Sequence, residues 1–204
     1  MKLKKILFPL IVILLAYSFL PLISFWFTTP ALNSDNNQAS IKRLKDNKGG
    51  YFSFIVFGDS HNGLFTNDAS TLKEIWHMNR EDRFRKVPID FVLHTGDVSL
   101  NGSEWDFKSW KKMQTLIKYP VIAAIGNHDD RKLFEEYCGD GQFAFSDRNS
   151  YFIVTNNAEN GPDLTWLEER LKEGQKYDHA FVIMHKPPCD PYQLRIQYKA
   201  SFPR

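Results

Sequence analysis

The stretch V-I-A-A-I-G-N-H-D-D at residues 121–130 runs from an apolar segment straight into a cluster of polar side chains. The apolar part, Val121–Ile125, is the kind of short continuous run that predicts a β-strand buried on both faces. Directly after it, Asn127, His128 and Asp129 offer an amide, an imidazole and a carboxylate. A buried strand more commonly ends in a plain turn, so this crowding indicates a functional site if other strands bring partners to the same place.

Other strand-like runs end in the same kinds of residue. Further apolar runs lie at Phe52–Phe57, Phe91–His94, Tyr151–Thr155 and Ala180–Met184. The polar residues that follow the first, second and last of these runs are, in order, Asp59 with His61, Asp97, and His185. Because ligands bind outside the carboxyl ends of the strands in an open α/β sheet, we expect these side chains to meet at one site. Glycines at positions 58, 96 and 126 are expected to let the backbone turn sharply away from each strand.

Helical patterns alternate with these strands. They cover residues 68–80, 103–118 and 163–173, and the second opens with Ser103-x-x-Asp106, which resembles a capping box. Alternating strands and helices are typical of a layered domain. The fold class predicted from the pattern is therefore α/β.

The residue types at the strand ends indicate a metal centre. Asp, His and Asn supply oxygen and nitrogen ligands without a thiolate, a set that suits Mn, Fe or Zn. A carboxylate can bridge two cations, and paired metal ions ~3.5–4 Å apart are a phosphoryl-transfer arrangement. A histidine that is not a ligand can protonate the departing alkoxide. Neither the G-x-S-x-G motif of serine hydrolases nor the G-x-x-x-x-G-K-[ST] loop of NTPases occurs in the sequence.

At these residues the sequence resembles the calcineurin-like metallophosphoesterases. The matching stretches are FGDSH (57–61), HTGDVS (94–99), IGNHDD (125–130) and MHKPP (184–188). The resemblance implies a four-layer α/β/β/α sandwich with two divalent or trivalent metal ions (Mn, Fe or Zn) at one end. It also implies a phosphate ester as the substrate, which a bridging hydroxide would attack.

The same resemblance implies a role for each ligand. Asp59 and His61 would hold the first metal ion, Asp97 would bridge both ions, and Asn127 and His185 would hold the second.

Two further residues would be catalytic rather than ligating. The resemblance implies that His128 contacts the phosphate and acts as the general acid, and that Asp129 orients His128. His94 lies three residues before Asp97 and either packs in the core or contacts the site residues.

One part of the family pattern is missing. The family closes its site with a Gly-His-x-His motif after the HKPP stretch, and residues 186–204 contain no histidine. We expect that the chain is truncated and its sandwich incomplete; the alternative is a divergent member that has lost the motif. In either case each metal ion would keep three side-chain ligands, so we expect weak metal binding and poor catalysis. The alternative function is a non-catalytic, membrane-anchored remnant with a binding or regulatory role.

The amino terminus predicts a membrane segment. Lysines at positions 2, 4 and 5 precede the uncharged stretch Ile6–Phe27, whose 22 residues suffice to span a bilayer. Residues 1–31 are therefore either a membrane anchor or a cleaved signal peptide, followed by a linker at 32–49 and the phosphoesterase-like domain at 50–204. The lysines place the domain outside the cytoplasm, anchored to the membrane or secreted.

Charge and cysteine content exclude two other classes of protein. Outside residues 1–31 the chain has 23 basic against 24 acidic side chains, so nucleic-acid binding is not expected. The cysteines, Cys138 and Cys189, are too few for a disulfide framework and are either two unpaired thiols or one bridge.

Overall fold

The computed structural model describes residues 36–44, 53–63, 68–81, 89–158, 160–190 and 195–196. The predicted membrane segment at 1–31 lies outside these residues. Among those described, no helix combines the length and apolarity needed to cross a membrane.

The described elements alternate between strands and helices, as predicted. In chain order they are α1 (Asn37–Leu44), β1 (Ser53–Phe57), α2 (Asp68–Glu81), β2 (Ile89–His94), α3 (Glu104–Gln114), β3 (Val121–Ala123), α4 (Arg131–Cys138), β4 (Phe143–Asp147), β5 (Ser150–Val154), α5 (Leu164–Gly174), β6 (His179–Ile183), β7 (Cys189–Asp190) and β8 (Arg195–Ile196). All five predicted strands and all three predicted helices are present, with bounds shifted by a few residues. The sequence did not predict α1, α4, β4, β7 or β8.

The first sheet is parallel and has the order β1-β2-β3. Helices α2 and α3 make the crossovers that parallel neighbours require, so the carboxyl ends of all three strands lie at one edge. The predicted capping box starts α3: the Ser103 hydroxyl accepts from the Asp106 N–H, and the Asp106 carboxylate accepts from the Ser103 N–H. This fixed helix start sets the path of the chain between β2 and β3.

The second sheet is mixed and has the order β4-β5-β6. Strands β4 and β5 form an antiparallel hairpin, whereas β6 returns through α5 to pair in parallel with β5. Although the run that predicted β6 is apolar, the strand is largely exposed: Phe181 is 36% and Val182 38% exposed. Within the described residues, β6 pairs with β5 along one side alone, which accounts for this exposure.

The two sheets pack face to face around an aromatic core. Phe91 and Leu93 of β2 meet Phe152 and Val154 of β5 in one buried cluster. The Phe91 and Phe152 rings pack edge to face with centroids 5.5 Å apart. Each such buried side chain contributes about 1.5–3 kcal/mol to folding, so this interface is the main apolar layer that holds the sheets together.

One helix covers the outer face of each sheet. Trp110 of α3 lies over the first sheet, with its ring centroid 4.8 Å from that of His94 in β2. Leu167 of α5 packs on Tyr151 and Ile153 of β5. The order of these layers is therefore helix, sheet, sheet, helix.

Residues 32–49, which the sequence predicts as a linker, contain the helix α1, and α1 packs on the domain. Leu44 joins the core between the sheets. The buried Asn37 amide pairs with β3 as a neighbouring strand would: its Nδ2 donates to the Ala123 carbonyl (3.0 Å), and its Oδ1 accepts from the Ala123 N–H (2.8 Å). This part of the predicted linker is thus fixed to the sheet that ends at the site.

Candidate metal centre

The site begins where β1 and β2 end. Backbone pairing continues past both strands, since the Asp59 N–H donates to the Gly96 carbonyl and the His61 N–H to the Asp97 carbonyl, each at 3.0 Å. A bridge between Asn62 and Ser99 extends this pairing further. The two loops are therefore held against each other, and their side chains have fixed positions.

Three of the predicted ligands have left-handed backbone conformations. The φ angles are +53° at Asp59, +45° at His61 and +56° at Asp97. Residues with a side chain rarely adopt this region, although Asp and His tolerate it better than most, and such strain clusters at functional sites. The backbone therefore turns these side chains to the same side at a cost in folding energy.

The predicted glycine turns are confirmed at one of the three positions. Gly96 has φ +109°, a conformation that favours glycine. Gly126 is needed for space instead, because a Cβ there would overlap the Asp97 carboxylate, and a Cβ at Gly58 would overlap the Thr95 side chain. Glycine is thus required at all three positions, but for two different reasons.

Asp97 is the centre of the site. Its Oδ2 lies 3.1 Å from His61 Nε2 and 3.3 Å from His185 Nε2, and its Oδ1 accepts the His128 N–H at 2.9 Å. Burial by itself would raise the pKa of Asp97, but the hydrogen bonds from His185, the His128 N–H and His61 hold it well below its usual range. Asp97 is therefore an anion under all ordinary conditions.

Two candidate ligand groups share Asp97. One consists of His61, Asp97 and His128, and the other of Asp59, Asp97 and His185, with the ligand atoms in each group within 4.8 Å of one another. The oxygen and nitrogen donors, the anionic shared carboxylate and the spacing all fit metal ions that prefer such ligands. The structure thus groups Asp59 with His185, whereas the resemblance paired Asp59 with His61.

His185 is held with its Nε2 turned towards the other ligands. Its Nδ1 lies 3.1 Å from the Thr95 carbonyl, which can only accept, so Nδ1 carries a proton. Its Nε2 lies 3.1 Å from Asn127 Oδ1 as well as near Asp97. The hydrogen bond to Asp97 raises the pKa of His185, although burial opposes this. The predicted ligand Asn127 therefore joins the cluster through His185.

His128 is exposed at the mouth of the cluster. Its Nδ1 lies 2.7 Å from the Leu100 carbonyl and therefore donates to it. The ring centroid is 4.8 Å from that of His61. This arrangement leaves Nε2 as the nitrogen that can exchange a proton with a bound molecule.

Asp129, which the resemblance expects to orient His128, bonds to the loop that carries Asp97. Asp129 Oδ1 accepts from the Ser99 N–H (2.8 Å) and hydroxyl (2.9 Å), and Oδ2 accepts from the N–H groups of Asp97 (3.1 Å) and Gly126 (2.8 Å). The backbone N–H groups and the Ser99 hydroxyl occupy both carboxylate oxygens, and the Leu100 carbonyl accepts from the His128 ring. Burial raises the pKa of Asp129, although the bonds from Ser99 and Gly126 oppose this. Asp129 ties the loop after β3 to the loop that carries Asp97.

Comparison with known proteins gives the family of this chain. A model of the calcineurin-like phosphoesterase family matches residues 52–199, which is most of the chain. The chain belongs to the calcineurin-like phosphoesterase family.

Two individual proteins are also similar to this phosphoesterase. A probable cyclic nucleotide phosphodiesterase from Synechococcus sp. is 27% identical over 111 residues, which cover 48% of this chain and 43% of that protein. The chain therefore aligns with less than half the length of that curated relative. The structure of purple acid phosphatase PPD1 from yellow lupin seeds aligns with a TM-score of 0.43 at 15% identity, covering 66% of this chain and 31% of that one.

The family is named for phosphoesterases that use metal ions. The shared Asp97 and the two ligand groups around it fit such ions.

Sequence reasoning missed Asn157, which supports His185 in this phosphoesterase. Asn157 is fully buried; its Oδ1 accepts from the N–H groups of His185 (3.0 Å) and Lys186 (3.1 Å), and its Nδ2 donates to the Lys186 carbonyl (2.6 Å). The signal in the sequence was an Asn pair directly after the β5 run, but loop asparagines are too common for it to stand out.

His94 both packs in the core and supports the site, so both alternatives hold. Its ring contacts Trp110 and Phe57, at centroid distances of 4.8 and 4.7 Å. Nδ1 accepts from the Gly96 N–H (3.3 Å), so Nε2 carries the proton and donates to the Ser60 hydroxyl (3.0 Å). Ser60 lies between Asp59 and His61 in the chain, and His94 therefore steadies the loop that holds both predicted ligands.

Proposed function

We propose that this chain hydrolyses phosphate esters at a two-metal centre built around Asp97. The observation that carries the proposal is the position of that carboxylate, buried and shared by two groups of candidate ligands. Its permanent charge favours cations there over any neutral ligand. The geometry supports His61 with Asp97 for one ion, and Asp59, Asp97 and His185 for the other, with Asn127 beside His185.

Mn, Fe and Zn are the ions that suit this set of oxygen and nitrogen ligands. When bound, a pair of such ions supplies a hydroxide nucleophile at neutral pH and neutralises the charge of the phosphate. Asp59, His61 and Asp97 would be presented by the two loops that the backbone pairing after β1 and β2 holds together.

His128 is proposed as the general acid. The Leu100 carbonyl holds its Nδ1 proton, so the Nε2 proton is the one available to the departing alkoxide. His128 is exposed, so a substrate can reach it. General acids of this kind accelerate reactions about 10²–10⁴-fold. His128 is also close enough to His61 and Asp97 to act as a metal ligand. The metal content and turnover of His128→Gln distinguish this role from that of a general acid.

The test combines turnover with metal content. The chain is dialysed against Mn²⁺, its metal content is measured by elemental analysis, and hydrolysis of p-nitrophenyl phosphate and bis-p-nitrophenyl phosphate is followed. We expect Mn²⁺ to bind weakly and hydrolysis to be slow but dependent on Mn²⁺, because residues 186–204 supply no histidine to complete the ligand set. Asp97→Asn should lose both, whereas His128→Gln should keep its metal and lose turnover about 10²-fold or more.

Glu168→Gln is the control for the loss of one carboxylate, because Glu168 lies on the exposed face of α5 and pairs with Lys172. It should match the unmodified chain in both measurements. Well below one metal ion per chain, together with no turnover, would contradict the proposal and favour a non-catalytic binding or regulatory role.

We also propose that the domain lies outside the cytoplasm. Lysines before the uncharged stretch Ile6–Phe27 support this orientation, whether residues 1–31 remain as an anchor or are cleaved as a signal. Fractionation of cells that express the full chain, followed by protease treatment of intact cells, tests it. A protease-resistant, unprocessed chain in the cytosolic fraction would contradict the proposal.

A further inference from the structure

A polar cavity, here called the leaving-group cavity, is formed by residues that have no role in the proposed chemistry. Its volume is about 300 Å³. The polar side chains that line it are Arg131, Glu135, Gln142, Asn156, Asn160 and Asp163.

The walls of the leaving-group cavity continue the segments that build the metal centre. Arg131 follows Asp129 by two residues, which places their Cα atoms within about 7.6 Å of each other. On the other wall, Asn156 directly precedes Asn157, whose Oδ1 accepts the His185 N–H at 3.0 Å. The inference therefore takes the cavity to lie within reach of a substituent on a phosphate held at the centre.

Arg131 offers the strongest donors in the cavity. Its Nε donates to Glu135 Oε1 at 3.0 Å, one turn further along α4. Among the described residues, Glu135 is the partner found for the Arg131 guanidinium. The terminal Nη groups of Arg131 can therefore donate to a ligand. Glu135 thus orients a side chain that is 63% exposed.

The charges and the side-chain types select the kind of ligand. Two carboxylates, Glu135 and Asp163, face one guanidinium, so a second phosphate would meet a net negative lining. None of the described side chains that line the cavity is aromatic, so a nucleobase would find no ring on which to stack. Carboxamides, carboxylates and a guanidinium together offer both donors and acceptors, which is what hydroxyl groups need.

We propose that the leaving-group cavity binds the hydroxyl groups of a polyol or sugar, and that the preferred substrates are phosphate esters of such alcohols. The inference rests on the proposed function, because the phosphate of the same molecule must occupy the metal centre. Arg131 and Asn160 then determine specificity, while the metal ligands and His128 act on the phosphate.

Two phosphonates that resist hydrolysis test the inference by binding alone. Methylphosphonate probes the metal centre, and 3,4-dihydroxybutylphosphonate adds two hydroxyl groups that can reach the cavity. Calorimetry on the full chain loaded with Mn²⁺ gives both dissociation constants. We expect the dihydroxy compound to bind about tenfold more tightly, as one or two net hydrogen bonds would provide.

Arg131→Ala and Asn160→Ala should each bring this ratio close to one and leave the affinity for methylphosphonate unchanged. The matched control is Lys172→Ala, which removes an exposed ion pair with Glu168 on α5. Arg131→Ala removes a pair of the same kind, with Glu135 on α4. Lys172→Ala should keep the tenfold ratio.

Equal affinities for the two phosphonates in the unmodified chain, or an unchanged ratio in both variants, would overturn the inference and leave the proposed function standing. If methylphosphonate shows no Mn²⁺-dependent binding, the proposed function has failed, and the inference fails with it.

Discussion

His94 is a buried histidine that the fold holds in its neutral form. Burial lowers its pKa from 6.5 to about 3, although the charge of Asp97 opposes this. Between these two values the unfolded chain binds a proton that the native chain does not. The stabilisation that goes with the neutral ring is thus complete above pH 6.5 and is lost as the pH falls towards 3, at up to about 1.4 kcal/mol per pH unit.

Urea unfolding at pH 7, 6, 5 and 4 measures this effect. The free energy of unfolding should fall more steeply with acid in the unmodified chain than in His94→Gln, and the difference in slope should approach one proton. His179→Gln is the matched control, because it removes an exposed histidine of β6 and leaves the buried one in place. Parallel curves for the unmodified chain and His94→Gln would contradict the prediction.

Asn157 is expected to position His185 through the backbone. Its side chain satisfies three backbone polar groups of His185 and Lys186, and Asn157→Ala would leave them without these partners in a buried site. We expect a loss of about 2–3 kcal/mol in the free energy of unfolding and a drop of about 10–100-fold in Mn²⁺ affinity.

Asn149→Ala serves as the control, because Asn149 bonds to the exposed Asp178 carboxylate at the other end of β5. Denaturant unfolding and Mn²⁺ titration should both match the unmodified chain in this control. A destabilised Asn157→Ala chain with unchanged Mn²⁺ affinity would limit Asn157 to folding and rule out the positioning role.

At the scale of the elements, Asn37 makes the hydrogen bonds that attach α1 to the first sheet, in addition to the apolar contacts of Leu44. Asn37→Ala would remove the bonds to the N–H and carbonyl of Ala123 in β3 and the bond to the Asp140 carbonyl in the loop after α4. We expect this to cost about 2–3 kcal/mol in the free energy of unfolding, since buried partners lose their hydrogen bonds.

Gln38→Ala is the comparison for this prediction, because Gln38 makes an exposed hydrogen bond to the Asp140 side chain from the same helix. It should change the free energy of unfolding by about 0.5 kcal/mol or less. Equal and small effects of both substitutions in denaturant unfolding would mean that α1 behaves as a linker, as its polar sequence had suggested.

The elements that the sequence predicted are those with a strong pattern. Apolar runs gave the strands of the parallel sheet, and the capping box gave the start of α3. Helix α4 was missed because it shows three buried positions in eight residues, and strand β4 because its sequence FAFSD is not a continuous apolar run. Helix α1 was missed because its polar surface carries few apolar residues, and its attachment depends on the Asn37 contact 86 residues away in sequence.

At the scale of the whole molecule, the meeting of strand ends was predictable and the contacts between them were not. Residue type and strand position brought Asp59, His61, Asp97, His128 and His185 to one place. Which group bonds to which depends on loop conformations with left-handed residues, and no pattern in the sequence specifies those. The hydrogen bonds of Asp129 and Asn157 are contacts of this kind, and the sequence did not predict them.

Metal binding should make the stability of the whole chain depend on pH. The hydrogen bond that His185 donates to Asp97 raises the pKa of His185, so in the metal-free chain this pair contributes stability that is present below pH 6.5 and is lost as the pH rises through the raised pKa. A metal ion needs the deprotonated Nε2 and competes with that proton. Stabilisation by Mn²⁺ should therefore grow with pH, whereas the stability that the metal-free His185–Asp97 pair contributes falls as the pH rises.

Thermal unfolding with and without excess Mn²⁺ at pH 5.5, 6.5, 7.5 and 8.5 tests this linkage. Where His185 is protonated, each unit of pH should tighten Mn²⁺ binding about tenfold for one displaced proton, which adds about 1.4 kcal/mol of stabilisation at saturating metal. His185→Gln should flatten the dependence, and His179→Gln should leave it intact. If Mn²⁺ shifted the Tm by the same amount at every pH, the ion would have to bind without His185, and the ligand group of Asp59, Asp97 and His185 would be the wrong site.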